Sequence, residues 1–240
     1  LREPLVVRLQ QSWRGVLASV LLLVAALWAL QQWGLPVAAR VVTQALPHSV
    51  DAALGDVALQ AVDQQLMAPS QLPAQEQARI RSAFTQAVNH LPAGAVPPWN
   101  LVFRASRIGP NALALPGGTL VMTDELVALV DGNTDVLTAV LAHELGHLQH
   151  RHGLRMLVQV TLLGTLTSVL LGDFSTVLAG GAALVGQAHY SRNAEREADA
   201  AAVHVLRAAQ LSPAAMVTLF DKMAEKRSTS AAQNAKPPGG

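Results

Sequence analysis

The feature that most constrains this chain is the string AHELGHLQHRH at 142–152, in which His143, Glu144 and His147 form H-E-x-x-H. On a helix, positions i and i+4 share a face, so both imidazoles can reach one ion. Ala139, Val140, Leu145 and Leu148 make much of the same helix apolar. That sets the histidines near a core, where imidazoles and carboxylates need partners. The fold must therefore bring a further donor from another element against this helix. Glu144 stands beside the first ligand, in reach of a water that the ion would acidify and whose proton a carboxylate can take.

The 240 residues include no cysteine, so disulfides and thiolate ligands are excluded and any metal site must use His, Asp or Glu. Two histidines leave zinc one short of its usual three protein ligands. Downstream, SRNAEREADAAA (191–202) places Glu195 and Asp199 at i, i+4 on a second expected helix. Glu195 is the expected third ligand of a single Zn2+ ion. Asp199 is then free to accept a hydrogen bond from a ligand imidazole and fix its tautomer. Glu197 is the rival ligand, although the E-x-x-x-D spacing favours Glu195. His150 and His152 are expected on the flanking surface rather than on the ion. An oxyanion needs a donor besides the ion, and spacing does not choose among His189, Tyr190, Arg192 and His204.

A second constraint comes from Val16–Leu30, VLASVLLLVAALWAL, which carries no charge. From Trp13 to Trp33 a helix would run roughly 31 Å, the thickness of a bilayer core. Trp13, Trp28 and Trp33 lie near its ends, where indoles favour the interface, and Pro36 is expected to help end it. A buried core helix and a cleavable signal peptide, with VAA at 37–39 as the small-residue site, are the competing readings. Arg2, Arg8 and Arg14 precede the segment and Arg40 alone follows closely. That bias puts the N-terminus in the cytoplasm and the remainder outside, which in a Gram-negative bacterium is the periplasm. The expected location is thus a single-pass protein of the bacterial inner membrane. Leu1 is not a start methionine, so the chain reads as a piece of a longer or processed one. Hydrophobic residues at 51% against 14% charged point to contact with a lipid bilayer, while a net charge of +1 without a basic run gives no nucleic-acid footprint.

Elsewhere, Val50–Leu66 and a segment after Pro73 carrying Ile80, Phe84 and Val88 read as amphipathic helices. WNLVFRAS (99–106) and GGTLVMT (117–123) read as strands. Thr123-Asp124-Glu125 starts a short helix, and Gly132-Asn133-Thr134 breaks it and starts the next. The apolar stretches within 156–188 form a helical hairpin that either covers the site as core, plugging the cleft, or dips into lipid. The expected organisation is a flank at 1–12, a transmembrane helix at 13–37, a catalytic domain at 48–226 and a disordered tail at 227–240.

Three strings, in this order, carry a resemblance: NALALPGGTLVMTDELV (111–127), HELGHLQHRHG (143–153) and SRNAEREADAAA (191–202). They resemble the gluzincin metallopeptidase family that includes HtpX, BepA and the CAAX prenyl proteases, over roughly Ser49 to Asp221. The resemblance implies a mainly α fold with a small β-sheet (α+β), a zincin-like domain preceded here by one transmembrane helix. It implies zinc on His143, His147 and Glu195, Glu144 as general base and an orienting role for Asp199. It further implies endopeptidase activity on unfolded or misassembled polypeptides, in protein quality control. In the family, the region around Asn111 and Pro116–Gly118 leads into an edge strand along the cleft. An extended peptide can add to such a strand, so Asn111, Gly117 and Gly118 are candidate substrate contacts. The prenyl proteases have many spans where this chain shows one clear span, which weighs against lipidated substrates. The alternative of another class is a membrane-anchored chaperone or scaffold without proteolysis. Neither the natural substrate nor the oligomeric state is encoded in these patterns.

Overall fold

Along strand LVMT the side chains alternate between two cores: Leu120 and Met122 enter one, Val121 the other. Leu101 and Phe103 share the first core, while Val102 packs against the second. Period-two alternation of apolar residues on both faces marks a sheet covered on both sides, and the rest of the chain supplies the covers. The structure is a computed structural model, and it describes residues 13–171 and 190–234.

An apolar helix opens the described chain as α1 (Trp13–Ala29), a π-turn (Leu30–Gly34) and α2 (Leu35–Ala45). Then follow α3 (His48–Gln65), β1 (Met67–Pro69), α4 (Ala74–Val88), β2 (Asn100–Ser106) and β3 (Ala112–Leu115). A 3-10 turn (Pro116–Gly118) leads to β4 (Thr119–Thr123), α5 (Asp124–Leu129), α6 (Thr134–Gln149) and α7 (His152–Leu171). The last two helices are α8 (Arg192–Ala208) and α9 (Ala214–Asn234). The sheet order is β1-β2-β4-β3. β2 and β4 run parallel, with Leu101 opposite Leu120. β1 and β3 flank them antiparallel. The expected mainly α fold with a small sheet is what the chain forms.

Two helix starts follow from local chemistry. Asn133 caps α6, its side-chain oxygen accepting from the backbone N–H groups of Asp135 (3.0 Å) and Val136 (3.3 Å). Thr123 caps α5 and also joins it to the strand pair, for its hydroxyl accepts from Asn111 N–H at 2.8 Å and donates to Asn111 C=O at 3.0 Å. α6 is buried over most of its length, from Val136 to His147, between the sheet, α4 and α8.

Several expectations change. Pro36 does not end the apolar helix, which continues to Ala45. The π-turn before it widens the backbone spiral, with Leu35 N–H bonding Leu30 C=O, and Pro36 stands at the start of α2, where its missing donor is tolerated. The small-residue stretch 37–39 lies inside α2, with Ala39 fully buried. The tail expected to be disordered from Arg227 instead continues α9 to Asn234; no Gly or Pro interrupts the sequence before Pro237. β1 and β3 were not expected as separate strands. β3, not the strand at 119–123, forms one edge of the sheet, and β1 forms the other. The first arm of the expected 156–188 hairpin is α7; its second arm, the 1–12 flank and His189 lie outside the described residues.

The junction of α6 and α7 fixes the apolar helix to this body. Arg151 adopts the left-handed conformation (φ 51°) and separates the two helices. Its guanidinium donates to Thr43 C=O at 2.6 Å, to Leu46 C=O at 3.0 Å and to both carboxylate oxygens of Asp51, which is buried. The last carbonyls of α2 and the first turn of α3 therefore share one cation, and α2 lies along α7.

Candidate metal centre

Gly146 decides how close α8 comes to α6. A Cβ there would lie 2.7 Å from Ala198 Cα and 2.9 Å from Ala198 O, positions already filled by backbone. With no side chain at Gly146 and alanines at 198 and 202, the two helices pack backbone against backbone. That approach carries Glu195 and Asp199 to the histidine face of α6. Ser191 caps α8 by accepting from Ala194 N–H at 3.3 Å, which sets Glu195 in the first turn.

The structure brings together His143, His147 and Glu195. His143 Nε2 lies 3.1 Å from His147 Nε2 and 3.4 Å from Glu195 Oε2; His147 Nε2 lies 3.8 Å from Glu195 Oε1. Ligand bonds of about 2.1 Å to a tetrahedral ion put donor atoms about 3.4 Å apart, and these separations bracket that value. Both imidazoles turn Nε2 inward. His143 Nδ1 donates to Asp199 Oδ1 at 3.0 Å, so its lone pair is on Nε2. Burial, reinforced by the neighbouring His143, His152 and His150, pushes His147 down to about 3. It is thus neutral at physiological pH, as a metal ligand must be. Two imidazole nitrogens and one carboxylate fit a zinc ion, which takes three protein ligands of these types.

Glu144 faces the same space. The backbone N–H of Ala114, on β3, donates to its carboxylate. Burial, with the charge of Glu195 adding to it, nevertheless pushes Glu144 up to about 8. A cation at the histidine pair would supply the opposite charge that favours the carboxylate form. A cavity of about 250 Å³ adjoins His143, Glu144 and Glu195, walled by Asn111 and Ala112 on one side and by Met216, Leu219 and Phe220 of α9 on another.

The remaining candidates divide. Asn111 lines the cavity. Gly117 and Gly118 are absent from its wall and have a packing role instead. A Cβ at Gly117 would lie 2.7 Å from Ala52 Cα, and one at Gly118 would lie 2.4 Å from Pro98 O. Glu197 turns away from the ligand pair toward His152. His152, expected on the surface, is 2% exposed, and its Nδ1 lies 2.9 Å from His147 Nδ1. Burial lowers His152 despite Glu197. In Glu197 the hydrogen bond from His152 and the charge of Arg155 outweigh burial and hold the carboxyl below its usual range. Of the oxyanion candidates, Tyr190 stacks on His147, with ring centroids 4.1 Å apart at 22°, and burial raises its hydroxyl. Sequence reasoning missed Gly146, His152 and the edge N–H of Ala114. Only Gly146 left a trace, as a small residue matched by the alanines at 198 and 200–202 on the other helix.

With this geometry in hand, comparison with known proteins places the chain. The pattern of peptidase family M48 matches residues 74–236. The chain belongs to that family. Among curated relatives, this M48 member is 31% identical over 142 residues to the beta-barrel assembly-enhancing protease of Escherichia coli (strain K12), an alignment covering 53% of this chain and 28% of that protein. The protein of the same name in Yersinia pestis is 32% identical over 131 residues, covering 48% and 26%. The mitochondrial metalloendopeptidase OMA1 of Schizosaccharomyces pombe (strain 972 / ATCC 24843) is 32% identical over 120 residues, covering 48% and 34%. The alignments thus span about a quarter to a third of the length of these relatives.

Two measurements test this description of the site. Gly146→Ala should destabilise the protein by about 1–3 kcal/mol, because overpacking outweighs the gain in helix propensity; thermal unfolding reads it, and an unchanged or raised midpoint would contradict the close approach. In chelator-treated protein, Glu144 holds a proton when folded that it releases when unfolded, between its ordinary value of 4.5 and about 8. Stability should therefore fall as pH rises through that window. Glu144→Gln should flatten the profile of thermal midpoint against pH.

Proposed function

We propose that this M48 member is a membrane-anchored zinc endopeptidase whose ligands are His143, His147 and Glu195, with Glu144 as general base. The observation that supports it best is the convergence of three donors at tetrahedral spacing beside a half-buried carboxylate and a strand that ends the sheet among the described residues. When bound, zinc polarises the scissile carbonyl and acidifies water. The chain's own residues do the rest. An extended substrate pairs with the outer edge of β3, which sets its backbone across the cleft. Asn111 lines the approach, and the apolar wall of Met216, Leu219 and Phe220 receives a side chain. Glu144 takes the proton of the attacking water and passes it to the leaving amine. Asp199 holds the His143 ring with Nε2 toward the ion.

Anchoring rests on Trp13–Ala45, the one stretch among the described residues long and apolar enough to cross a membrane, with a mean hydropathy of 2.0 in its most apolar window. Leu21, Leu22, Leu23 and Val24 on α1 are each more than half exposed, so nothing in the described protein covers them. The arginine bias orients the catalytic part away from the cytoplasm, which in a Gram-negative cell is the periplasm. Relatives named for assembly enhancement and mitochondrial proteolysis support substrates of the unfolded or misassembled class.

Glu144→Gln is expected to retain one zinc per chain and to lose casein cleavage by at least about 100-fold; cleavage at the wild-type rate would refute the mechanism. A chaperone without proteolysis would keep all of its activity in that variant. Orientation is read by adding trypsin to intact spheroplasts: the part after Ala45 should be digested, and full protection would reverse the topology.

A further inference from the structure

His152 lies five residues beyond His147, a spacing at which one continuous helix turns side chains to different faces. The two rings meet because Arg151 (φ 51°) interrupts the helix and folds the first residue of α7 back over the last turn of α6. His147 Nδ1 and His152 Nδ1 are then 2.9 Å apart, and His152 Nε2 is 2.9 Å from Glu197 Oε2. The proton positions follow from the ends of this chain. His147 must keep its Nε2 lone pair for an ion, so its proton is on Nδ1. His152 accepts that proton's hydrogen bond at Nδ1 and must carry its own proton on Nε2, which faces a carboxylate. Each donor has one acceptor.

We propose that His152, backed by Glu197, is a positioning residue of the metal centre: it accepts from His147 Nδ1 and so holds the Nε2 lone pair on the ion. The proposal rests on the zinc reading above. It gives His147 the counterpart of what Asp199 gives His143, but by a different route. Asp199 bonds its ligand directly, whereas the carboxylate of Glu197 acts through a second imidazole. Because a neutral imidazole is the immediate partner, His147 receives direction without a full charge beside it in a buried place. Glu197 is itself held by Arg155 at 3.3 Å and Arg40 at 4.0 Å.

His150, His152 and Glu197 also lie close enough together to be a second metal group. Geometry favours the hydrogen-bonded network. The 2.9 Å between His152 Nε2 and Glu197 Oε2 is a hydrogen-bond length, shorter than the separation of about 3.4 Å that two ligands of a tetrahedral ion keep. The rings of His150 and His152 stack at 17°, and two arginines already neutralise the carboxylate.

The test measures zinc stoichiometry and zinc Kd, by chelator competition on the full chain in detergent. His152→Leu should weaken binding about 10–100-fold. His152→Gln, which offers an amide oxygen to His147, should recover part of that loss, and His150→Ala should stay within about twofold of wild type. In the zinc-loaded protein, 15N shifts should report His152 as the Nε2–H tautomer. A folded His152→Leu protein with wild-type Kd would overturn the proposal. So would two zinc ions per wild-type chain falling to one in His150→Ala. Should His152→Leu show no cooperative unfolding, Glu197→Gln decides, because its half-exposed side chain tolerates the change: weaker zinc binding supports the proposal and an unchanged Kd overturns it. Wild-type protein that binds no zinc would defeat the underlying reading of the site, an outcome separate from either of these.

Discussion

The close packing of Gly146 on Ala198 is the contact on which the site depends. H-E-x-x-H fixes two donors relative to each other by helix geometry alone. It leaves the third to the distance between two helices. Had residue 146 carried a Cβ, α8 would stand further off and Glu195 would lose its place opposite the imidazoles. Buried alanines at 198 and 202 extend the same close seam along α8, so the donor set is held by packing rather than by a loop.

The site so assembled favours the neutral forms of its titratable groups. His147 is driven neutral, and Glu144 is driven toward its protonated form by burial and by Glu195. Both shifts reverse their meaning beside a divalent ion: the neutral imidazole is the form that binds, and the carboxylate gains the opposite charge it lacks. Were an ion bound there, the same burial would favour it, and folding and metal uptake would be linked.

How much of this was legible in the sequence depends on range. The pair His143 and His147, the second i, i+4 pair at Glu195 and Asp199, and the cap at Thr123 are local patterns, and local helix geometry expresses them directly. The strand at 119–123 was visible from its alternation. The edge strand Ala112–Leu115 was not, being four residues of small and apolar type whose pairing is set only by β4. His152 was misread for a comparable reason. Its place depends on one left-handed residue, Arg151, and arginine carries no signal for that conformation as glycine or asparagine would. Gly117 and Gly118 were read as candidate substrate contacts; the close backbone approach they permit is that of Ala52 and Pro98, distant in sequence.

Arg151 joins these levels. Its backbone conformation folds His152 onto His147, while its side chain gathers Thr43, Leu46 and the buried Asp51. One residue thus sets both the contact between His147 and His152 and the seat of the apolar helix. Arg40 of α2 reaches Glu197, which continues the connection from that helix through His152 to the His147 ring. α2 has 11 residues, a rise of about 16 Å, and it lies along α7 instead of swinging as a linker. The ion pairs at the joint, Arg151 with Asp51 and Arg40 with Glu197, therefore connect the apolar helix to the elements that carry His147 and Glu195.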